Sequence, residues 1–372
     1  MTGHDDIWNT LYEAWSSGET SGLATVVRTF GSAPRPTGSS MLLTPEGRIV
    51  GSVSGGCVEG DVLERARETI LDGTPQQATY GISDNDAFAV GLTCGGTLEV
   101  FVEPVSIRTF PELAEVIESA RAGIPVAVAT VLDHPRPEAV GAHVVVRADG
   151  HYSSLHPLGA PTDLVDDARH LLRTGDSGLL TYDTEGVRIF VRPLVPPPRM
   201  LLFGAGDFAA ALTTIGRTME YRVTVCDARP LFTTADRFPD ADEVVVARPD
   251  AYLAQEAAAG RVDTRTVIVS FSHDAKFDIP LLETALGLDA AYVGAMGSRR
   301  THLRRTQALS EAGVPALALA RLSSPIGLDL GGRSPAETAV SIAAEIIAAR
   351  YGGRGEPLSH RAGPVHSLHA VR

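Results

Sequence analysis

The chain has few cysteines and fewer basic than acidic residues, and both facts limit the classes of protein to which it can belong. Its 372 residues include three cysteines, too few and too scattered for a disulfide framework, and no His/Cys spacing typical of a zinc site. Lys and Arg number 32 against 45 Asp and Glu, which gives a formal net charge of -13. This charge disfavours nucleic acid and anionic membranes as partners.

Long apolar runs are also missing. No stretch approaches the roughly 20 apolar residues that span a bilayer. The first residues, MTGHDDIW, do not have the basic and apolar pattern of a signal peptide. We therefore expect a cytoplasmic protein with reduced thiols, no membrane span and no nucleic-acid partner.

Prolines divide the chain. Four of them lie in the six residues from Pro193 to Pro198, where we expect a stiff linker because proline cannot continue a helix or a central strand. The length suits two domains. We predict domains over residues 1–194 and 200–352, joined by a linker at 195–199. The remainder, 353–372, lacks periodicity and is predicted to be a flexible tail.

The two halves differ in pattern. Before the linker, short strands and helices are mixed, which predicts an α+β domain of underived topology. After it, apolar strands alternate with helical segments, which is typical of a parallel sheet covered on both faces. The predicted fold class is α/β: an N-terminal α+β domain followed by a C-terminal Rossmann-like parallel-sheet domain.

The second half opens with a dinucleotide-binding fingerprint. The strand Met200–Phe203 leads into Gly204-Ala-Gly206-Asp-Phe-Ala, then a helix and a second strand that ends at Asp227. In this pattern Gly204 makes the turn, Gly206 lets the backbone approach a pyrophosphate, and an acid such as Asp227 holds ribose hydroxyls.

Three further residues bear on a ligand at this sheet edge. Asp207 would stand beside the pyrophosphate, where a like charge about 4 Å away costs on the order of 1 to 4 kcal/mol, or it faces outward and stabilises its own helix dipole. His273 follows the fourth strand and Arg299 the fifth, at the carboxyl ends where ligands bind. A loop residue capping backbone and a solvated helix end are the alternatives for His273 and Arg299.

Glycine-flanked cysteines mark the first half. Gly55, Gly56 and Cys57 lie between a strand and a helix, where glycines permit close ligand approach and a helix N-terminus stabilises a thiolate. Cys94 is a second cysteine beside glycines, and Arg35 sits in a rigid Gly/Pro loop that could grip an anion. The alternative for Cys57 and Cys94 is that each is a small, buried apolar residue. We interpret the third cysteine, Cys226, in this way because it lies within a predicted strand.

Together these motifs resemble the XdhC/CoxI family of maturation factors for molybdenum hydroxylases such as xanthine dehydrogenase and carbon monoxide dehydrogenase. In the first half the resemblance rests on GSAPRPTGSSML, GSVSGGCVEGDV and LTCGGTLEVFVEP. In the second half it rests on LLFGAGDFAAAL, VTVCDARPLF, SHDAKFD, YVGAMGSRR and SPIGLDLGGRSPAETAVSIAAEI. The chain departs from the family at Asp207, where a histidine is expected.

The resemblance implies a cofactor chaperone rather than a stand-alone catalyst. Such a protein binds molybdenum cofactor, as molybdopterin or its dinucleotide form, assists its sulfuration with a cysteine desulfurase, and delivers it to an apo molybdenum hydroxylase. The family's key cysteine falls on Cys57, the expected contact to molybdenum, and a homodimer is expected. The expected cofactor-binding residues are Arg35, Gly55, Gly56, Cys57, Cys94, Gly204, Gly206, Asp227, His273 and Arg299.

Two alternatives remain. The Rossmann fingerprint also fits an NAD(P)-dependent oxidoreductase, with Asp227 on the ribose and His273 as proton donor, although no catalytic tyrosine–lysine pair is recognisable. A structural paralogue that has lost the chemistry is the other, against which the presence of Cys57 and Cys94 speaks.

Overall fold

The computed structural model describes residues 3–31, 33–81, 96–153, 161–183, 186–272 and 274–360. It divides into two compact units, Met1–Pro196 and Pro197–Arg361, here called unit 1 and unit 2. Cys94 and His273 lie outside the described residues. The predicted fold class is confirmed, because unit 1 is built on antiparallel sheets with helices and unit 2 on a parallel sheet.

Unit 1 alternates helices with groups of strands. Its elements are α1 (Gly3–Ser16), β1 (Ser21–Phe30), β2 (Ser40–Leu43), β3 (Ile49–Gly51), α2 (Glu59–Asp72), β4 (Gln76–Tyr80), β5 (Thr97–Val105), α3 (Leu113–Arg121), β6 (Val126–Asp133), β7 (His143–Arg147), β8 (Gly150–Ser153), α4 (Leu164–Thr174), β9 (Gly178–Tyr182) and β10 (Val187–Leu194).

These elements form the same module twice. The first sheet has the order β3-β2-β1-β5-β4 and the second has the order β8-β7-β6-β10-β9. In each module a helix precedes the first strand and another helix lies between the third and fourth strands. We call α1–β5 the first module and α3–β10 the second module.

Register and sequence support the duplication. Thr25 in β1 is opposite Ser40 in β2, and Thr130 in β6 is opposite His143 in β7, so equivalent strands pair in an equivalent register. The loop after the first strand contains Pro-Arg-Pro in both modules, with Arg35 in one and Arg136 in the other. Sequence analysis had left this topology underived.

Alternation along the strands gives each sheet two buried faces. In the first sheet, Val26 and Val100 face α2, whereas Val27 and Phe101 face the second sheet. The inner faces of the two sheets meet at Phe190 and its neighbours, and α4 covers the outer face of the second sheet. The period of two that defines a strand therefore buries both of its faces here.

One expectation about proline was wrong. Pro193 lies within β10, paired with Ala127 of β6, although proline was expected to end a strand. β9 pairs with β10 only as far as Val191, so at Pro193 the strand has a neighbour on one side alone. A proline is tolerated there because its missing N–H removes no ladder hydrogen bond on the unpaired side.

Unit 2 has the alternation that its sequence predicted. Its elements are β11 (Arg199–Phe203), α5 (Asp207–Thr218), β12 (Arg222–Asp227), β13 (Glu243–Val246), α6 (Pro249–Ala258), β14 (Val267–Ser270), α7 (Ala275–Gly287), β15 (Tyr292–Ala295), α8 (Arg299–Glu311), α9 (Ala316–Leu319), β16 (Leu322–Ser323) and α10 (Pro335–Tyr351). The six strands are parallel in the order β13-β12-β11-β14-β15-β16. This is the order of the dinucleotide-binding fold, whose crevice lies between β11 and β14.

A buried ion pair connects the segments at the carboxyl ends of β14, β15 and β16. The Arg305 guanidinium donates to Asp278 Oδ2 at 2.6 Å, to Ser324 Oγ at 2.9 Å and to the Met296 carbonyl at 2.9 Å. Asp278 also accepts from Ser270 Oγ at 2.7 Å. Arg305 is 3% exposed and Asp278 is 4% exposed, so removing either partner leaves a charge buried without its counter-ion.

We expect Arg305→Met to lower the free energy of unfolding of unit 2 by about 3 to 5 kcal/mol, the usual effect of leaving one charge of a buried pair unpaired. Arg304→Met is the matched control, since Arg304 is exposed on the same helix. Urea unfolding of the full chain, followed by circular dichroism, measures both changes. Equal losses in the two variants would contradict a supporting role for Arg305.

Candidate functional site

The strand order brings the Arg35 loop and the Cys57 loop to one end of the first sheet. β1 and β3 are both antiparallel to β2, so both strands end on the same side of it. Arg35 is exposed in the loop that follows β1, and Cys57 is in the loop that follows β3. The two predicted sites of the first module therefore lie at the same end of the first sheet.

The carboxylate of Glu59 organises the Cys57 loop. It accepts hydrogen bonds from the backbone N–H groups of Ser54 at 2.9 Å, Gly55 at 3.0 Å and Gly56 at 2.8 Å. The Ser52 hydroxyl donates to it as well, at 2.7 Å. Glu59 is the first residue of α2, so its charge also lies at the positive end of the helix dipole.

This arrangement fixes the protonation of Glu59. Burial disfavours the charged carboxylate, but the hydrogen bonds from Ser54 and Ser52 outweigh it and lower the pKa of Glu59 to about 2. The loop therefore wraps around a permanent negative charge at neutral pH.

Gly55 and Gly56 have a conformational role in this loop. Their φ angles are +78° and +122°, in the region that side chains rarely adopt. A Cβ at either position would meet nothing within 4 Å, so space does not require glycine there. The backbone turn around Glu59 requires it, and the N–H groups of Gly55 and Gly56 are already engaged by that carboxylate.

Cys57 lies two residues before the first residue of α2, next to the N-cap Val58, close to the helix start that the sequence predicted. It is half-buried and packs against the core between the first sheet and α2. Its backbone N–H donates to Ser54 Oγ at 2.9 Å, which fixes its position in the turn. The other described cysteine, Cys226, is 1% exposed, and burial together with the Asp227 charge raises its pKa to about 12. Of these two thiols, only that of Cys57 can meet a ligand.

The second predicted site begins at Gly204. This glycine has a φ of +112°, and a Cβ there would lie 3.2 Å from Phe271 Cβ. Gly206 leaves open space instead, since its Cβ would meet nothing within 4 Å. The turn is thus tight against Phe271, the residue after β14, at Gly204 and open at Gly206, as a nucleotide-binding loop requires.

Asp227 is fully engaged within the chain. Its Oδ2 accepts from the Ala205 N–H at 2.8 Å and from Arg229 Nη2 at 2.7 Å, while its Oδ1 accepts from the Arg229 N–H at 2.9 Å and from Nε at 3.0 Å. A carboxylate offers about four lone-pair positions, and all are used. Burial opposes ionisation, but these contacts lower the pKa of Asp227.

Arg237 counters the acid at the start of α5. Asp207 points into solvent, with 84% of its side chain exposed, and Arg237 Nη2 approaches its Oδ1 at 3.7 Å. The guanidinium of Arg237 lies 5.5 Å from the ring centroid of Phe232, and that of Arg229 lies 4.7 Å from it. The outward-facing alternative for Asp207 is the one found, and two arginines border the loop.

Sequence analysis missed three of these residues. Glu59, Arg229 and Arg237 had no assigned role, although two of them carried a signal. An acid in the first helical turn after a Gly-Gly-Cys sequence indicates a capped loop, and an arginine two residues after Asp227 indicates an ion pair. Nothing local marks Arg237, which reaches the loop through the fold.

Arg299 is the first residue of α8 and is exposed there, after Ser298 caps the helix by accepting from the Thr301 N–H at 3.1 Å. It lies at the carboxyl edge of the parallel sheet, as expected from its position after β15. Among the described residues, no group of three or more His, Cys, Asp or Glu side chains is placed to hold a metal ion. No helix of the described part of the chain has the length and apolar character to cross a bilayer.

Comparison with protein families covers both units. A model described as the XdhC and CoxI family matches residues 14–81 and 119–183. A second model, described as the XdhC Rossmann domain, matches residues 200–346.

Similar proteins match along most of their length. A Bacillus subtilis protein described as a probable subunit of xanthine dehydrogenase is 28% identical over 330 residues, which cover 88% of this chain and 92% of that protein. The molybdenum cofactor insertion chaperone PaoD of Escherichia coli is 26% identical over 347 residues, covering 93% and 89%. The crystal structure of a xanthine dehydrogenase from Bacillus halodurans matches 97% of this chain and 98% of its own, at a TM-score of 0.68 and 24% identity, and so shares the fold.

The low pKa of Glu59 generates a stability prediction. A carboxylate whose pKa is lowered by folding stabilises the protein above its unfolded pKa, near 4.5, and loses that contribution as the pH falls toward about 2. We expect Glu59→Gln to lower the free energy of unfolding by about 1 to 3 kcal/mol at pH 7, because amide donors lose a charged acceptor. The deficit relative to wild type should shrink between pH 4.5 and pH 2.

Urea midpoints of the full chain, measured across this pH range, test the effect. Glu64→Gln is the matched control, since Glu64 lies on the same helix in an exposed pair with Arg67. A Glu59→Gln deficit that stays constant down to pH 2 would show that the charge is not the stabilising feature.

Proposed function

Because the chain belongs to the XdhC/CoxI family, we propose that it is an accessory protein that binds molybdenum cofactor and inserts it into a molybdenum hydroxylase of the xanthine dehydrogenase type. The names of its relatives support this role: one is a molybdenum cofactor insertion chaperone and another is a probable xanthine dehydrogenase subunit. The cofactor is then cargo, and the apo hydroxylase is the partner that receives it.

The observation that carries the proposal is the Cys57 loop. Glu59 holds its backbone in one conformation, and the loop presents a half-buried thiol at the same sheet end as the exposed Arg35. A thiolate is a soft ligand suited to molybdenum or to sulfur transfer, and a guanidinium binds phosphate oxygens with two parallel hydrogen bonds.

The hydrogen bonds to Glu59 determine which groups of the loop remain available to bind the cofactor. The N–H groups of Gly55 and Gly56 already donate to its carboxylate, so they do not serve the phosphate of a pterin. Arg35 is left as the anion-binding group of this edge, and Cys57 as the contact to the metal or its sulfur. The two glycines contribute by adopting the positive φ angles that the turn around Glu59 requires.

Several finer roles extend the proposal from the family resemblance. The protein assists sulfuration of the cofactor together with a cysteine desulfurase, acts in the cytoplasm and works as a homodimer. Unit 2 holds the nucleotide part of a dinucleotide form of the cofactor at the loop formed by Gly204 and Gly206, with Arg229 and Arg237 at its border.

An NAD(P)-dependent oxidoreductase is less well supported. The ribose of NAD needs an acceptor at Asp227, and the Ala205 N–H and Arg229 fill that carboxylate. The proton donor proposed for that chemistry, His273, lies outside the described residues.

Cargo binding tests the role of Cys57. We expect Cys57→Ala to retain at least tenfold less molybdenum per chain than wild type after incubation with molybdenum cofactor and gel filtration, because the variant lacks the soft ligand. Molybdenum is measured by mass spectrometry and the pterin separately by its fluorescence after oxidation. Cys226→Ala, which removes the buried thiol, should retain wild-type amounts, and equal metal in all three proteins would refute the assignment of Cys57.

Nicotinamide binding tests the alternative. We expect wild type to show no fluorescence change with NADH up to millimolar concentration, because no acceptor position on Asp227 remains. Arg229→Ala should bind NADH at least tenfold more tightly than wild type, since it removes both guanidinium contacts and frees a position on each carboxylate oxygen. Micromolar binding by wild type that weakens in Arg229→Ala would instead favour the oxidoreductase.

A further inference from the structure

Unit 1 contains a small cavity, not fully enclosed, between the inner faces of its two sheets, and all of its lining residues are buried. Its volume is about 20 Å³, which is room for a single water molecule. Its polar lining includes Thr25, Thr130, Glu103, His143 and Arg192, and aromatic rings of both modules surround these groups. No role proposed above for the protein involves this cavity.

The cavity lies where the two modules meet. Its lining includes residues that occupy equivalent positions in the two modules. Glu103 of β5 is opposite Leu23 of β1, and Arg192 of β10 is opposite Val128 of β6, so Glu103 and Arg192 occupy the same position of the module. They carry opposite charges, at 5% and 4% exposure. The duplication has thus placed an acceptor in one wall and a donor in the other.

Each charge reaches across to the opposite module. His143 Nε2 of the second module lies 3.0 Å from Glu103 Oε2, and Arg192 Nη2 donates to Ser40 Oγ of the first module at 2.6 Å. Ser40 and His143 are themselves equivalent, since they face Thr25 and Thr130 in the same register. The two contacts between the modules therefore join equivalent positions. One brings an imidazole to a carboxylate, and the other brings a guanidinium to a hydroxyl.

Two charged atoms are left without a hydrogen bond in this cavity. Arg192 Nε has no acceptor, and Glu103 Oε2 accepts no hydrogen bond, although His143 Nε2 lies 3.0 Å from it. Burial lowers the pKa of Arg192 to about 10, against the opposing effect of the Glu103 charge. Buried polar atoms in native proteins are nearly always satisfied, often by an internal water with two to four partners.

The pair of charges selects what can satisfy them. An anion would be attracted by Arg192 but repelled by Glu103, and a cation would meet the reverse. A neutral molecule that accepts from Arg192 Nε and donates to Glu103 Oε2 satisfies both. We propose that this cavity is a binding site for one small neutral hydrogen-bonding molecule, a single water in the cell, held between the two modules.

A crystal structure of the full chain at a resolution that shows internal waters tests the site directly. One density peak within hydrogen-bond distance of both Arg192 Nε and Glu103 Oε2 is expected. A bromide soak should give no anomalous signal in the cavity. An empty cavity beside well-ordered waters elsewhere would overturn the proposal, and so would bromide in the site, which would make it an anion site.

Water residence in solution gives a second, independent measurement. Oxygen-17 relaxation dispersion counts waters that exchange slowly, and Arg192→Met should lose one of them relative to wild type because it removes Nε. Arg188→Met is the matched control: Arg188 lies on the same strand but pairs with Glu99 and Asp133 outside the cavity. An unchanged count in a folded Arg192→Met variant, checked by circular dichroism, would contradict the site. If that variant does not fold, the wild-type crystal and the bromide soak decide alone.

Discussion

The carboxylate of Glu59 is the interaction on which the candidate site of unit 1 depends. It gathers the N–H groups of three successive loop residues and sets the turn that carries Cys57. Without it, the Gly56 N–H would lose its carboxylate acceptor, and the bonds left in the loop would include those from the Gly55 N–H to Ser52 Oγ and from the Cys57 N–H to Ser54 Oγ. The same carboxylate keeps a negative charge at the helix start, so this end of α2 is occupied by the chain's own anion.

A carboxylate also binds a backbone N–H of the glycine-rich loop in unit 2. There Asp227 binds the Ala205 N–H, and Arg229 fills its remaining positions. A carboxylate from the same chain thus engages the Gly55 and Gly56 amides in unit 1 and the Ala205 amide in unit 2, although a sequence motif would offer them to a phosphate. Glycine patterns therefore locate the turns correctly, but they do not reveal which anion the turns bind. That depends on side chains such as Glu59 and Arg229, which lie outside the motifs.

Prediction succeeded where the pattern is local. The strand predicted over Met200–Phe203 is β11, which begins one residue earlier, and the next strand ends at Asp227 as predicted, because each is a run of apolar or β-forming residues with clear turn signals at its ends. β4, with the sequence QQATY, gives no comparable signal, because its polar residues hide its alternation. The duplication was not predicted from the sequence. The shared Pro-Arg-Pro loop is a weak signal, and the equivalent positions Glu103 and Arg192 carry charges of opposite sign. Pairing between distant strands decides that relation, and no short window of sequence contains it.

The duplication also frees each copy from the constraints of symmetry. Two identical subunits around a twofold axis must carry the same groups twice, whereas two modules in one polypeptide can diverge separately. The first module has a cysteine between its third strand and the following helix, and the second has none between Ser153 and Leu164. Unit 1 repeats one module but has the Gly-Gly-Cys loop once. Under the function proposed above, this predicts a stoichiometry of one cargo molecule per chain.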